Sequence, residues 1–153
     1  MRLKLVIRRG FVAGLVILAA KASDLGNSFW RYEYAVNNLN SERSIGAFSV
    51  PCPAGATVQN IGFHDVAYHG GDGGGNVNFD GTDWPGSFSS GAVSWATTPF
   101  ATNANANAIR WGTLYNFRFD ANVPPATLGG NVTLGQFKTV GNVTAATVIP
   151  SPP

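Results

Sequence analysis

Charge is scarce in this 153-residue chain: Asp, Glu, Lys and Arg together make up 12% of it, about half the share usual in globular domains. Cysteine is scarcer still. With Cys52 alone, an intrachain disulfide and a multi-cysteine metal site are both excluded, so packing must hold the fold together. The shortage of charge argues against disorder and against charged surface helices, both of which are rich in Glu and Lys. What is plentiful is glycine (19), proline (9) and asparagine (14), beside 44% hydrophobic and 12% aromatic residues. Turn formers between aromatic and β-branched residues describe a β-rich chain with many corners.

The formal charge of +2 hides a division. Five of the ten basic residues (Arg2, Lys4, Arg8, Arg9, Lys21) fall in the first 22 positions, and no acidic residue does. The remainder holds five basic against eight acidic residues, a net of −3, which leaves no basic patch for nucleic acid.

Those first 22 residues carry a basic start, the apolar run 11–20 and an A-x-A pattern at Ala20-Lys21-Ala22, the composition of a signal peptide cut after Ala22. The run is too short for a membrane span, which takes about 20 residues, so none is expected in the mature chain. Arg8-Arg9 leaves general and twin-arginine export both open. A second reading takes Leu15–Ala20 as a first strand. The expected organisation is a signal peptide over 1–22, a β-sandwich domain over 23–149 and a proline-rich tail over 150–153.

Beyond residue 22 the pattern alternates. Trp30, Tyr32, Tyr34 and Val36 share one face of a strand, and Phe48 with Val50 mark another before Pro51. Val58–Val66, Ala92–Thr97, Tyr115–Phe119, Val132–Lys138 and Val143–Ile149 follow. A short strand is expected at Val77–Phe79, and Ile109 and Trp111 alternate about Arg110. About eight strands at turn spacings of 8–12 residues predict an all-β antiparallel sandwich of immunoglobulin or fibronectin type. Tyr115 stands where such sandwiches place a corner tyrosine.

The runs Asp24-Leu-Gly-Asn, Trp30-Arg-Tyr-Glu-Tyr-Ala-Val, Asn38-Leu-Asn-Ser-Glu-Arg-Ser, Ile61-Gly-Phe-His-Asp-Val, Phe79-Asp-Gly-Thr-Asp-Trp and Asn107-Ala-Ile-Arg-Trp-Gly-Thr-Leu-Tyr-Asn-Phe-Arg-Phe resemble a poorly characterised exported bacterial module found ahead of PEP-CTERM or dockerin-like sorting tails. The resemblance covers roughly residues 24–149. It implies export to the medium or cell surface and a β-sandwich, and it brings no catalytic residues. The sequence departs from the pattern in showing no sorting-tail residues up to Pro153 and in an expected leader that runs almost directly into Asp24.

No catalytic constellation is legible, and the chain reads as a non-enzyme. Gly86-Ser87-Phe88-Ser89 puts Phe where a nucleophile elbow needs Ser, and neither H-E-x-x-H nor a Cys/His cluster occurs. His64 and His69 differ by five positions, so on one strand they face apart. Asp65 shares the parity of Ile61 and Phe63, and if drawn inward it needs backbone N–H groups or an arginine such as Arg110 or Arg118. Between Gly70 and Ser90, Asp72, Asn76, Asn78, Asp80 and Asp83 offer oxygen donors for a calcium ion, although no EF-hand pattern is met. The same residues serve ordinary turns. Trp95 and Trp111 read as core, whereas Trp84, in a loop before Pro85, reads as exposed and with His69 makes the candidate ligand contact. Cys52 reads as a buried filler or inert thiol. The expected function is an exported structural or interaction module for display, adhesion or assembly, its partner an extracellular protein or glycan. The alternative is a calcium-assisted glycan-binding domain.

Overall fold

A computed structural model describes residues 6–8, 14–126 and 129–151. Ten strands occur among them: β1 (Val6–Arg8), β2 (Val16–Gly26), β3 (Phe29–Asn38), β4 (Ile45–Pro51), β5 (Val58–His64), β6 (Gly86–Ser89), β7 (Ala92–Ala96), β8 (Leu114–Ala121), β9 (Gly130–Gln136) and β10 (Asn142–Thr147). They form two antiparallel sheets, ordered β1-β2-β3-β8-β5 and β10-β9-β4-β7-β6. The chain is an all-β sandwich, and no helix among the described residues is long and apolar enough to cross a membrane.

Alternation along each strand builds the core. Tyr32, Tyr34 and Val36 from β3 and Tyr115, Phe117 and Phe119 from β8 are buried, facing Phe48, Val50, Val93, Trp95, Val132 and Leu134 of the second sheet. Phe48 sits 4.8 Å from Phe117 between ring centroids, and Tyr32 stacks on Phe119 at 5.2 Å. The inward tyrosines bring their hydroxyls to carbonyls, Tyr32 to Val123 at 2.7 Å and Tyr34 to Val148 at 2.9 Å, so their burial leaves no donor orphaned.

The strand order is informative. Sheet one contains β2-β3-β8-β5 and sheet two β4-β9-β10, which is the A-B-E-D and C-F-G pairing of a constant-type immunoglobulin sandwich. β1 is added outside the first strand, and the hairpin β6–β7 extends sheet two beyond β4. That hairpin is inserted between the fourth and fifth strands of the core order, and its two connections, residues 65–85 and 97–113, are the longest in the molecule.

The segment 16–26 forms a continuous strand whose Leu18 and Ala20 are buried, the strand that the second reading of Leu15–Ala20 expects. Other expectations change. Val77–Phe79 contributes only an isolated bridge between Gly73 and Val77. Ile109 likewise only bridges to Ile45 before the chain turns. Tyr115 does bond backwards, its hydroxyl 3.0 Å from the Ala108 carbonyl, but it opens the fifth core strand and not the sixth, where a corner tyrosine belongs.

Candidate functional site

One end of the sandwich collects the connections 39–44, 65–85, 97–113 and 137–141. Their flanking strands fix this: Asn37 pairs with Leu114, Ile45 with Gln136, Ala47 with Ala96 and His64 with Asn116. The two long connections are welded together by Asn107, which is almost fully buried. Its amide donates to the Asp65 carboxylate and to the Thr82 carbonyl (3.0 Å). Its side-chain oxygen accepts the Tyr115 hydroxyl, and its backbone carbonyl accepts the Trp84 indole N–H. Tyr68 completes the chain, hydroxyl to hydroxyl with Tyr115 at 2.9 Å. Burial drives the Tyr115 hydroxyl far above its ordinary pKa, so at neutral pH it is a fixed hydrogen-bond donor. The partner of Asp65 is therefore an asparagine, where the sequence offered backbone N–H groups or an arginine such as Arg110 or Arg118.

Arg110 has a different task. Its guanidinium lies 4.0 Å from the centroid of Phe79 and 5.4 Å from that of Phe137, and one terminal nitrogen donates to the carbonyls of Ala104 and Ala106, both at 3.0 Å. Desolvation pulls its pKa down from the ordinary value, but an arginine so placed stays charged. The stack joins the 65–85 loop, the 97–113 connector and the β9–β10 hairpin.

On this base stands Trp111. Arg110–Thr113 is a tight turn closed by Thr113 N to Arg110 O at 3.1 Å, with Thr113 Oγ1 on the same carbonyl at 2.8 Å. Gly112 takes a φ of 73° at its third position, the type II geometry. Gly112 N donates to Asn38 O (2.8 Å) and Asn38 N to Thr113 O (3.1 Å), pinning the turn to the end of β3. The turn interrupts alternation after the buried Ile109 and throws Trp111 outward, 63% exposed. Trp84, expected outside, is 2% exposed and stacks on Phe63 at 5.6 Å. The two expectations are reversed, because the long loop folds back over the open side of the sandwich and seals it with Trp84.

Three of the five proposed calcium donors, Asp72, Asn78 and Asp80, accept hydrogen bonds from within the chain. Asp72 accepts the His69 backbone N–H at 2.5 Å, and Asn78 accepts that of Gly71 at 2.7 Å. Asp80 accepts the Thr82 N–H (2.9 Å) and hydroxyl (2.6 Å), which hold its carboxyl below the usual range, and also the Asn103 amide at 3.3 Å. Asn76 sits at a φ of 66°, and Asp83 is exposed. Among the described residues no three His, Cys, Asp or Glu side chains gather in a way that could hold a metal ion. His69 is largely exposed, 3.6 Å from Asp72, and His64 is exposed at the end of β5.

Neither a known protein family nor a curated protein matches the chain. The geometry must carry the reading by itself, and its most telling feature is a polarity. Among the described residues six large apolar side chains are substantially exposed: Leu25, Leu39, Phe100, Trp111, Leu114 and Val140. All but Leu25 lie at the end just described. Phe100 packs edge-on against Phe137 at 5.3 Å, and the two flank an apolar groove of about 460 Å³ that runs past Pro99 to Val140. A second depression, about 540 Å³, lies on the outer face of sheet one over Ala19, Ala35 and Gly62. Its charged rim is partly self-paired, Lys21 with Glu33 at 3.5 Å, and no aromatic ring is turned outward there. Trp111, Leu39 and Asn107 escaped sequence reasoning, and only Gly112 after Trp111 signalled the turn.

Proposed function

We propose that the domain is a non-catalytic recognition module of an exported bacterial protein, engaging its partner end-on through Trp111 and the apolar side chains around it. The observation that carries this is the clustering of exposed apolar residues at one end, on connections held rigid by Asn107, Arg110 and the turn at Gly112. A large exposed apolar patch is a liability without a partner, and a pre-ordered indole loses little freedom on binding. By analogy of fold alone, the β3–β4 and β9–β10 connections correspond to loops with which immunoglobulin variable domains bind. Against catalysis stands the direction of the displaced groups: burial pushes the Cys52 thiol up to about 11 and the hydroxyls of Tyr32, Tyr34 and Tyr115 upward, so all stay protonated and unreactive near neutrality.

The test is binding of labelled domain to a panel of bacterial envelopes and purified polysaccharides, with Trp111→Ala and Val140→Ser as variants. A loss of about fivefold or more in both, with unchanged circular dichroism, supports the reading. Undiminished binding by both variants, or loss confined to Lys21→Ala and Arg118→Ala on the sheet face, overturns it. Trp111, as the outward indole, also keeps a glycan reading in play. Retention on a glycan array together with a calcium-dependent rise in melting temperature, abolished by Asp80→Ala and Asp83→Ala, would select the calcium-assisted form.

A further inference from the structure

We infer that the occupant of this end is a protein segment presenting an apolar anchor beside lysine or arginine side chains. The inference rests on the end-on reading and adds the chemistry of the partner.

Three features lead to it. The first is the kind of apolar surface. Around Trp111 stand Leu39 and Leu114, and across the same end Phe100 and Val140 edge the groove. A sugar ring needs a flat aromatic platform with amides or carboxylates aimed at its hydroxyls, whereas projecting leucine, valine and phenylalanine side chains complement aliphatic or aromatic ones.

The second is charge. The four connections 39–44, 65–85, 97–113 and 137–141 hold Glu42, Asp65, Asp72, Asp80 and Asp83 against Arg43, Arg110 and Lys138, five carboxylates to three cations, and the β1–β2 connection at the same end adds Arg9. All three cations of the four connections are engaged internally, Lys138 with Glu42, Arg110 with the carbonyls of Ala104 and Ala106, and Arg43 with the Gln136 side-chain oxygen at 3.4 Å. The connections at the opposite end carry no charged residue. The excess negative charge lies on the 65–85 loop, which contains no Lys or Arg and is stitched to the Trp111 connector by Asp80 N to Asn105 O at 2.8 Å and by the Asn103–Asp80 contact. Such a surface repels an anionic membrane and nucleic acid and attracts a basic partner.

The third is order. Asp80 is held ionised by Thr82, and Asp72 is fixed by His69, so the carboxylates keep their places beside the apolar patch before anything binds.

The experiment is a titration of the full chain, followed by backbone amide chemical shifts, with three probes: a short synthetic peptide of alternating leucine and lysine, the same peptide with glutamate for lysine, and vesicles of phosphatidylcholine with phosphatidylglycerol. The lysine peptide is expected to shift resonances in 39–44, 72–83, 111–114 and 137–141. Its affinity is expected to fall by about tenfold between roughly 0.1 M and 1 M salt, over which the screening length drops from about 10 to about 3 Å. Asp72→Asn with Asp83→Asn should weaken it several-fold with an unchanged melting temperature, and Trp111→Ala should do so as well. Equal binding of the glutamate peptide at this end would overturn the inference while leaving the end-on reading intact. Shifts scattered over the sheet faces would overturn both. Vesicle binding in preference to the lysine peptide would overturn the inference in favour of a lipid surface.

Discussion

An indole side chain acts according to where its face lies, and the four tryptophans of this chain divide cleanly. Trp84 and Trp95 are sealed inside, Trp30 is half-buried, and Trp111 stands in solvent. Removing Trp84 would empty a space bounded by Phe63, Tyr115 and Phe117 and strip the Asn107 carbonyl of its donor, so Trp84→Ala is expected to cost about 3–5 kcal/mol. Trp111→Ala removes a group with little to lose and should stay within about 0.5 kcal/mol of the parent. Urea denaturation of the two variants checks the contrast. Sequence alone points the other way, because a tryptophan before proline in a glycine-rich loop reads as exposed and one alternating with isoleucine reads as core. Which loop folds back as a lid is settled by Asn107, forty-two residues from the Asp65 it binds, and no local pattern carries that contact. A second expectation concerns Cys52, whose burial lifts the thiol from 9.0 to about 11, with Tyr32 and Tyr34 raised for the same reason. A folded form that holds its protons more tightly is fully stabilised below the unfolded value and loses that contribution as pH rises through the folded one. The urea midpoint should therefore be flat near neutrality and fall between about pH 9 and about pH 11. The same thiol should resist an aromatic disulfide reagent until denaturant is added.

At the level of elements, β2 is the segment on which fold and processing meet. It pairs along β3 from Val16↔Asn38 to Asp24↔Trp30 and places Leu18 and Ala20 in the core. An A-x-A pattern behind an apolar run satisfies a leader, and it equally satisfies a strand lying under a second layer, since both ask only for small and aliphatic residues in sequence. A chain starting at Ser23 would lose the transfer energy of Leu18, about 2 kcal/mol, together with the backbone partner of β3 from Tyr32 to Asn38. We expect it to melt more than about 10 °C below the chain that keeps residues 14–22, or not to fold. Equal melting temperatures would mean that β2 is dispensable. The strands that were legible, β3, β4, β5, β7, β8, β9 and β10, are those with one aromatic or β-branched face. β6 was not legible because Gly86-Ser-Phe-Ser offers a single apolar residue, and Gly86 lies against Ile61 and the Trp95 indole where a Cβ would not fit.

For the whole molecule, composition and period two were enough to announce a sandwich of two aromatic layers. The core strand order was beyond reach, since it depends on the pairing of β3 with β8, nearly eighty residues apart at Asn37↔Leu114. The placement of the exposed apolar residues follows from that order. They look unrelated in sequence, at 39, 100, 111, 114 and 140, and become neighbours of one pole only when β4 pairs with both β7 and β9.

The other pole holds the route by which the chain leaves the domain. β10 runs away from the Trp111 turn, and after it Pro150 bridges to Pro125 while Ser151 N bonds Pro124 O at 3.0 Å. Those contacts clasp the departing backbone against the connection between β8 and β9. Anything joined there would hold the domain by its heel, with the indole at the toe facing whatever approaches.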